Sequence, residues 1–231
     1  MTDSVADLIV SGEIKRYHSA RMIKALFLIF EPGPAWNRVV LSRRGLGLTV
    51  LLYLLPMMLI VAGAEGFGLV EWGRLQSGVT GIKRFTPNEA IVVETIQLLI
   101  MGVILVVCAH LIKGLGDTFH GRHTYKQTFT VVIYGLSPIF LMRLLDVFPT
   151  MNLWIPWLLG IMLTVKVLYE GVPRIMLPDP PHAFGLYLMS CLLLTIVTAV
   201  ERFVVIGYLT GWFKPFGDFV THVAAHLPFG K

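Results

Sequence analysis

Charged side chains are scarce in this chain. Asp, Glu, Lys and Arg make up 14% of its 231 residues, whereas hydrophobic residues make up 55%. A soluble domain of this size needs far more charge to cover its surface, so the composition excludes a soluble globular protein. Cysteine is also rare, because only Cys108 and Cys191 occur and both fall within long apolar segments. Their placement argues against a disulfide framework and predicts that both thiols pack as small apolar groups.

The sequence also lacks the short motifs of common catalytic chemistry. It contains no Gly-x-Ser-x-Gly, His-Glu-x-x-His or Cys-x-x-Cys pattern, and no glycine-rich loop for phosphate or dinucleotide binding. No signal peptide is predicted, because segment 1–44 is basic and no cleavage-like site follows the first apolar run. We therefore expect a protein that is not an enzyme and carries no cofactor. Lysine and arginine orient membrane proteins, and this role accounts for the net charge of +5. The positive charge is therefore no sign of nucleic-acid binding, and no nucleic-acid partner is expected.

What the chain does contain is five long apolar stretches of about 17–22 residues each. A helix rises ~1.5 Å per residue, so each stretch is long enough to cross a hydrocarbon core of ~30 Å. The sequence therefore predicts an all-α, polytopic membrane protein: a five-transmembrane-helix bundle with an N-terminal interfacial amphipathic helix. The predicted spans are Leu46–Ala64, Ile91–Ile112, Phe129–Phe148, Leu153–Tyr169 and Phe184–Val200.

The basic residues predict how the bundle is oriented. About twelve lysines and arginines fall on the N-terminal side of the spans, against about five on the other side. Positive residues are retained in the cytoplasm, so we expect the N-terminus inside and the C-terminus outside. The predicted segments are a basic cytoplasmic amphipathic segment 1–44, a membrane domain 45–212 and a short extracytoplasmic amphipathic tail 213–231.

Proline and tryptophan mark the boundaries of these elements. The run Glu31–Pro34 breaks the helical pattern that precedes it. Trp36 follows this break and is expected to anchor the chain at the lipid headgroups. Pro56 and Pro138 lie inside spans and are expected to kink them, which membrane helices tolerate when neighbouring groups satisfy the freed carbonyls.

Charged residues inside spans are the default functional hypothesis for a membrane protein. The chain stays largely apolar from Val200 to Phe213, so the fifth span is expected to extend past Glu201 and Arg202. On the predicted orientation, five such residues gather in the outer leaflet. Arg143 and Asp146 lie three apart on one helix face and are expected to pair, whereas Glu201 needs a partner from another helix. Two interpretations remain open: a polar pocket or vestibule facing the outside, or an interhelical clamp whose outer members reach water. The five residues are Glu94, Arg143, Asp146, Glu201 and Arg202.

Two histidine groups are candidate metal ligands. On the predicted outer tail, Asp218, His222 and His226 are four apart and so share one helix face, which is a spacing that can ligate zinc or copper. The polar stripe of an amphipathic surface helix explains the same pattern. In the cytoplasmic loop, Asp117, His120 and His123 form a weaker zinc pattern that a solvated basic loop also explains. These groups lie on opposite sides of the predicted membrane.

One region resembles a known family. The quoted segments are Phe30-Glu-Pro-Gly-Pro34, Gly121 with the polar-aromatic turn before Phe129, Tyr134-Gly-Leu-Ser-Pro138, and Tyr169-Glu170-Gly171. Across residues 25–210 the chain resembles the YIP (Ypt/Rab-interacting protein) domain family. The resemblance implies five membrane helices with a cytoplasmic N-terminus, in which Gly121, Tyr134, Pro138 and Gly171 occupy the family-pattern positions.

Eukaryotic relatives in that family are associated with secretory membrane traffic and with prenylated Rab GTPases. This chain has a short basic N-terminal region and lacks the Asp-Leu-Tyr-Gly-Pro motif of that branch. It is therefore more similar to bacterial inner-membrane members.

Three functions are compatible with the sequence. The first is a non-enzymatic membrane-organising protein, a scaffold or accessory subunit of a membrane complex, with the lipid bilayer and a second copy or other membrane-protein subunits as partners. The second is a transporter, channel or lipid scramblase that uses the outer-leaflet charges. The third is a metal-dependent membrane enzyme that uses the face of Asp218, His222 and His226.

Overall fold

The structure is a computed structural model that describes residues 28–42, 45–75 and 81–227. Most of the predicted interfacial helix in segment 1–44 lies outside these residues. Within them, five helices are long and apolar enough to cross a membrane. They are α2 (Leu46–Glu71), α3 (Pro87–Thr118), α4 (Tyr125–Val147), α5 (Trp154–Met176) and α6 (Pro180–Leu209). The shorter helices α1 (Pro32–Leu41) and α7 (Lys214–Ala225) flank them. All five predicted spans and the all-α fold class are confirmed.

Local hydrogen bonds explain where two of the spans begin. Thr86 precedes α3, and its hydroxyl accepts a hydrogen bond from the backbone N–H of Glu89 at 3.2 Å. The Glu89 carboxylate accepts in return from the Thr86 N–H at 2.8 Å. Thr124 and Gln127 form the same reciprocal capping box before α4. Each box satisfies backbone donors that the first turn of a helix leaves without partners.

A short β-ribbon connects α2 to α3. Its strands β1 (Arg74–Leu75) and β2 (Ile82–Lys83) pair antiparallel, with Arg74 opposite Lys83. Gly73 precedes β1 with φ of 73°, and a Cβ there would lie 2.4 Å from the Lys83 carbonyl oxygen. Only glycine fits this turn. The ribbon was not predicted, and it directs Arg74 back towards the bundle.

Pro56 and Pro138 are accommodated in different ways. Pro138 has no N–H to donate to the carbonyl of Tyr134, and the Ser137 hydroxyl donates to that oxygen instead at 2.5 Å. Helix α4 therefore continues through Pro138 to Met142 and tightens into a 3-10 turn only at Arg143–Val147. Before Pro56, α2 widens into a π-helical turn over Val50–Leu54.

Trp36 is buried in the bundle core, so the expectation that it anchors at the headgroups is wrong. Its side chain is 0% exposed. Helix α1 folds against α5, where the indole Nε1 donates to the Val167 carbonyl at 2.8 Å. The indole also meets Tyr134 edge-on, with ring centroids 5.9 Å apart. The lead-in before the first span is thereby held to α4 and α5 by an aromatic side chain inside the core.

Gly171 gives the indole access to α5. A Cβ at Gly171 would lie 2.4 Å from two indole carbons of Trp36. That separation is far below ordinary contact, and the indole is fully buried and hydrogen-bonded to Val167. The glycine that belongs to the family pattern is therefore required by close packing.

We predict that Gly171→Ala lowers the melting temperature of the detergent-solubilised protein, because the methyl group displaces Trp36. Overpacking of this kind costs roughly 1–3 kcal/mol. Gly102→Ala is the matched control, since a Cβ at Gly102 in α3 meets nothing within 4 Å. Scanning fluorimetry on both variants checks the prediction, and an equal melting temperature for the two would contradict it.

Candidate functional site

Seven charged side chains lie together at one end of the bundle and are called the charge layer here. Each is 8% exposed or less. The five intramembrane charges identified from the sequence all lie in this layer, and the structure adds two more. The members are Glu65, Arg74, Glu94, Arg143, Asp146, Glu201 and Arg202.

Two ion pairs in the charge layer join different helices. Arg143 on α4 contacts Glu65 on α2, with Nη2 and Oε2 2.6 Å apart. Arg202 on α6 contacts Asp146 at the end of α4, also at 2.6 Å. The Arg202 Nε donates to the carbonyl of Leu153, the residue before α5, at 3.0 Å. The charge layer therefore ties together α2, α4, α5 and α6.

The expected pairing of Arg143 with Asp146 within one helix is wrong. Such a pair would leave Glu65 and Arg202 buried without opposite charges, and an isolated buried charge is far costlier than a paired one. Each member of the expected pair instead contacts a charge on a neighbouring helix. Interhelical pairing thus neutralises four charges where the intrahelical pair would neutralise two.

Arg74 fastens the β-ribbon to the end of α4. Its Nη1 donates to the Phe148 carbonyl at 3.0 Å, and its Nη2 donates to the Asp146 carbonyl. A guanidinium at this position satisfies carbonyls that a helix C-terminus leaves free and complements the helix dipole. Burial lowers the pKa of Arg74, while the nearby Asp146 and Glu65 carboxylates oppose that shift.

Sequence reasoning missed Glu65 and Arg74 because it placed both in a loop. The first span was expected to end at Ala64, one residue before Glu65. The apolar run Gly66–Val70 that follows is the signal that would have extended the span through it. No comparable signal exists for Arg74, because its position depends on the turn at Gly73.

Carboxylates outnumber guanidinium groups in the charge layer by four to three. Both oxygens of Glu94 and one oxygen of Glu201 are buried and have no hydrogen-bond partner among the described residues. Arg143 lies within electrostatic reach of both carboxylates, although neither forms a direct ion pair with it. A buried carboxylate without a direct partner is stable only when it is protonated or meets water or a cation. Proton or cation exchange is therefore the chemistry that the charge layer allows.

The opposite end of the bundle is called the basic end here and carries Lys113, Arg122, Lys126 and Arg174. Lys126 and Arg143 are both on α4, and their separation of 17 residues corresponds to ~25 Å along a helix. A cavity of about 590 Å³ lies at this end. Its lining includes Val39 of α1, Thr49 of α2, Lys126 of α4 and Arg174 of α5. The cavity thus combines polar and cationic groups with apolar walls.

Three of the family-pattern residues lie in or beside the packing around Trp36. Tyr134 and Gly171 lie against the indole, and Pro138 follows Tyr134 by about one turn of α4. Gly121 is separate, in the loop after α3. Its N–H bonds to the Gly116 carbonyl at 2.8 Å, and a Cβ on Gly121 would lie 2.7 Å from the His123 ring. The His123 ring in turn lies against Gly116, and burial lowers the pKa of His123.

The histidine groups lie at opposite ends of the bundle, in agreement with the odd number of spans. At the basic end, Asp117 is paired with Lys113 at 2.8 Å on an exposed surface. At the other end, the second group lies on and just after α7. That helix is held to the start of α3, because the Asn88 side-chain amide donates to the Ala224 carbonyl at 3.1 Å.

His222 and His226 share one face of α7, with ring centroids 5.1 Å apart. Among the described residues, the ligand atoms of Asp218, His222 and His226 do not converge as a set of three. Metal binding at this face stays a prediction.

The chain matches a known protein family over most of its length. A family model described as the Yip1 domain matches residues 26–200, from the approach to α1 into α6. Searches of curated proteins and of solved structures gave no match.

We predict that the Arg143–Glu65 pair shows strong coupling in a double-mutant cycle. Arg143→Met or Glu65→Gln alone leaves a buried charge or polar group without its partner, at a cost of roughly 3–5 kcal/mol for a buried pair. The double variant should recover part of that loss, by about 1 kcal/mol or more. Unfolding of all four proteins in detergent, followed by circular dichroism, measures the coupling.

Lys113→Met is the control for this cycle, because its pair with Asp117 is exposed. Exposed pairs contribute about 0–1 kcal/mol, so its stability should stay close to wild type. Strictly additive effects of Arg143→Met and Glu65→Gln would contradict the proposed clamp.

Proposed function

Because the chain belongs to the Yip1 domain family, we propose that it is a non-enzymatic membrane-organising protein, a scaffold or accessory subunit of a membrane complex. It is a multi-pass membrane protein with five apolar helices. The proposal includes an inner-membrane location with the N-terminus and the basic end in the cytoplasm. The excess of lysine and arginine on that side supports this orientation.

The interhelical pairing of the charge layer is the observation that carries the proposal. Arg143 and Arg202 are both in 2.6 Å ion pairs with carboxylates of other helices. Arg74 closes the same region by binding the carbonyls at the end of α4. Charged groups that take part in transport must rehydrate or exchange partners, and fixed ion pairs oppose both. A structural clamp, in contrast, depends on fixed ion pairs.

The basic end is where we place contacts with other molecules. Lys126 is exposed, has no ion-pair partner among the described residues and lines the cavity. The apolar walls and cationic groups of the cavity suit a lipid with an anionic headgroup. A protein that organises membrane components needs a binding surface of this kind at the bilayer boundary.

A transporter, channel or lipid scramblase is the second candidate. It is favoured by one observation, the buried oxygens of Glu94 and Glu201 that have no hydrogen-bond partner among the described residues. Ionisable groups of this kind mark proton and ion pathways in many membrane proteins. In this alternative, the carboxylates of Glu94 and Glu201 bind the transported proton or ion, and the ion-paired residues do not.

We predict that the purified protein in lipid vesicles moves neither protons, cations nor fluorescent lipids faster than protein-free vesicles. The same protein extracted into native nanodiscs should be larger than one 25.8 kDa chain, as a homo-oligomer or with other membrane proteins. Flux assays and mass photometry make the two measurements.

The variant Glu94→Gln, Glu201→Gln separates the candidates. If the wild type shows flux and this variant does not, the transport function is supported and the scaffold proposal fails. A lone monomer in native nanodiscs, without any co-purifying protein, would also contradict the scaffold proposal.

A further inference from the structure

Three metal-ligating side chains from two separate loops meet at the basic end. His120 follows α3, while Asp179 and His182 lie at the turn that opens α6. One ligand atom from each residue lies within 4.8 Å of the other two. We propose that His120, Asp179 and His182 form a binding site for a divalent transition metal of the Zn²⁺ class.

The ligand set suits this class of ion. Two imidazole nitrogens and one carboxylate oxygen are donors that zinc takes at ~2.0–2.2 Å, and three protein ligands leave one position for water. Around a tetrahedral ion the donors lie ~3.3–3.6 Å apart, so the three groups need close by only about an ångström. His120 and His182 are exposed and Asp179 is half-buried, so an ion in solution can reach all three side chains.

The backbone holds the three positions in place. His120 adopts a left-handed conformation with φ of 56°, which is uncommon for a residue other than glycine. Asp179 and His182 belong to one turn, because the His182 N–H donates to the Asp179 carbonyl at 2.9 Å. The two imidazole rings already lie side by side, with centroids 5.5 Å apart and planes 38° apart. The ligands are therefore arranged before any ion binds.

None of the three side chains has a competing hydrogen bond or ion pair among the described residues. The Asp179 carboxylate does not cap the turn that follows it. Asp117, the nearby acid that the sequence suggested as a ligand beside His120, is instead bound to Lys113. Asp179 therefore supplies the carboxylate, from a position about 60 residues further along the chain.

Metal binding at this site would connect the α3–α4 loop to the α5–α6 loop. The two loops belong to different pairs of spans, so a bound ion would fix the relative position of those pairs at the basic end. The inference concerns a site that the scaffold proposal does not require, and each can fail without the other.

Titration of the full-length protein without a histidine tag tests the site. Chelator-treated protein in detergent is titrated with Zn²⁺ by calorimetry and with Co²⁺ by visible absorption. We expect one equivalent at this site, cobalt bands typical of tetrahedral coordination, and a rise in melting temperature with Zn²⁺. His120→Ala, Asp179→Asn and His182→Ala should each weaken binding by roughly tenfold or more.

The matched control is the double variant His222→Ala, His226→Ala, which removes the histidine pair at the other end of the protein. It should leave the affinity at the His120 site and the Zn²⁺-dependent rise in melting temperature unchanged. Absence of Zn²⁺ and Co²⁺ binding by the wild type would overturn the proposal. It would also be overturned if binding survived all three ligand variants or disappeared in the control.

Asp179→Asn guards against a folding artefact, because it keeps the shape of the side chain and removes only the charged donor. Its melting temperature without metal should equal that of the wild type. The difference between the two proteins should appear only when Zn²⁺ is added, which a purely structural role for Asp179 would not produce.

Discussion

The fold depends on the pairing of buried charges, because the hydrocarbon region of a membrane solvates an isolated charge poorly. Arg143 and Arg202 would each be very costly in the hydrocarbon region without an opposite charge. Glu65 on α2 and Asp146 at the end of α4 supply those charges, and the Leu153 carbonyl before α5 accepts from the Nε of Arg202. The requirement to pair two arginines therefore fixes the relative positions of four helices. The close approach of α2 to the end of α4 at Gly68 follows from the same arrangement.

Packing at the other end is achieved by shape instead of charge. Helix α1 places Trp36 over Gly171, and the indole donates into the backbone of α5 while meeting Tyr134 of α4. Lipid tails are as apolar as the core, so helices in a bilayer gain little from hydrophobic contact and associate through close packing and hydrogen bonds. A large aromatic residue opposite a glycine supplies both. The residues at the family-pattern positions Tyr134 and Gly171 are therefore explained by the packing of a single side chain, that of Trp36.

The sequence predicted the spans well and their contacts poorly, for one physical reason. Bilayer thickness acts on each helix separately, so a run of apolar residues is a local signal. Pairing is not local: Arg143 was expected to bind Asp146 three residues away, and it binds Glu65 on another helix. Trp36 is also ambiguous in sequence, because an aromatic residue near a span fits both the headgroups and the core. The proximity of His120 to Asp179 and His182 depends on two loops that only the folded bundle brings together.

The two ends of the bundle therefore differ in the state of their polar groups. In the charge layer most charges are paired across helices and buried, so those groups are committed to holding the bundle together. At the basic end, Lys126 is exposed beside a cavity, and the side chains of His120 and His182 form no hydrogen bond with a described residue. Polar groups without internal partners remain available to ligands, whereas paired ones must first break a bond. Interaction with other molecules is thus expected at the basic end, and the charge layer supplies the rigid frame that presents it.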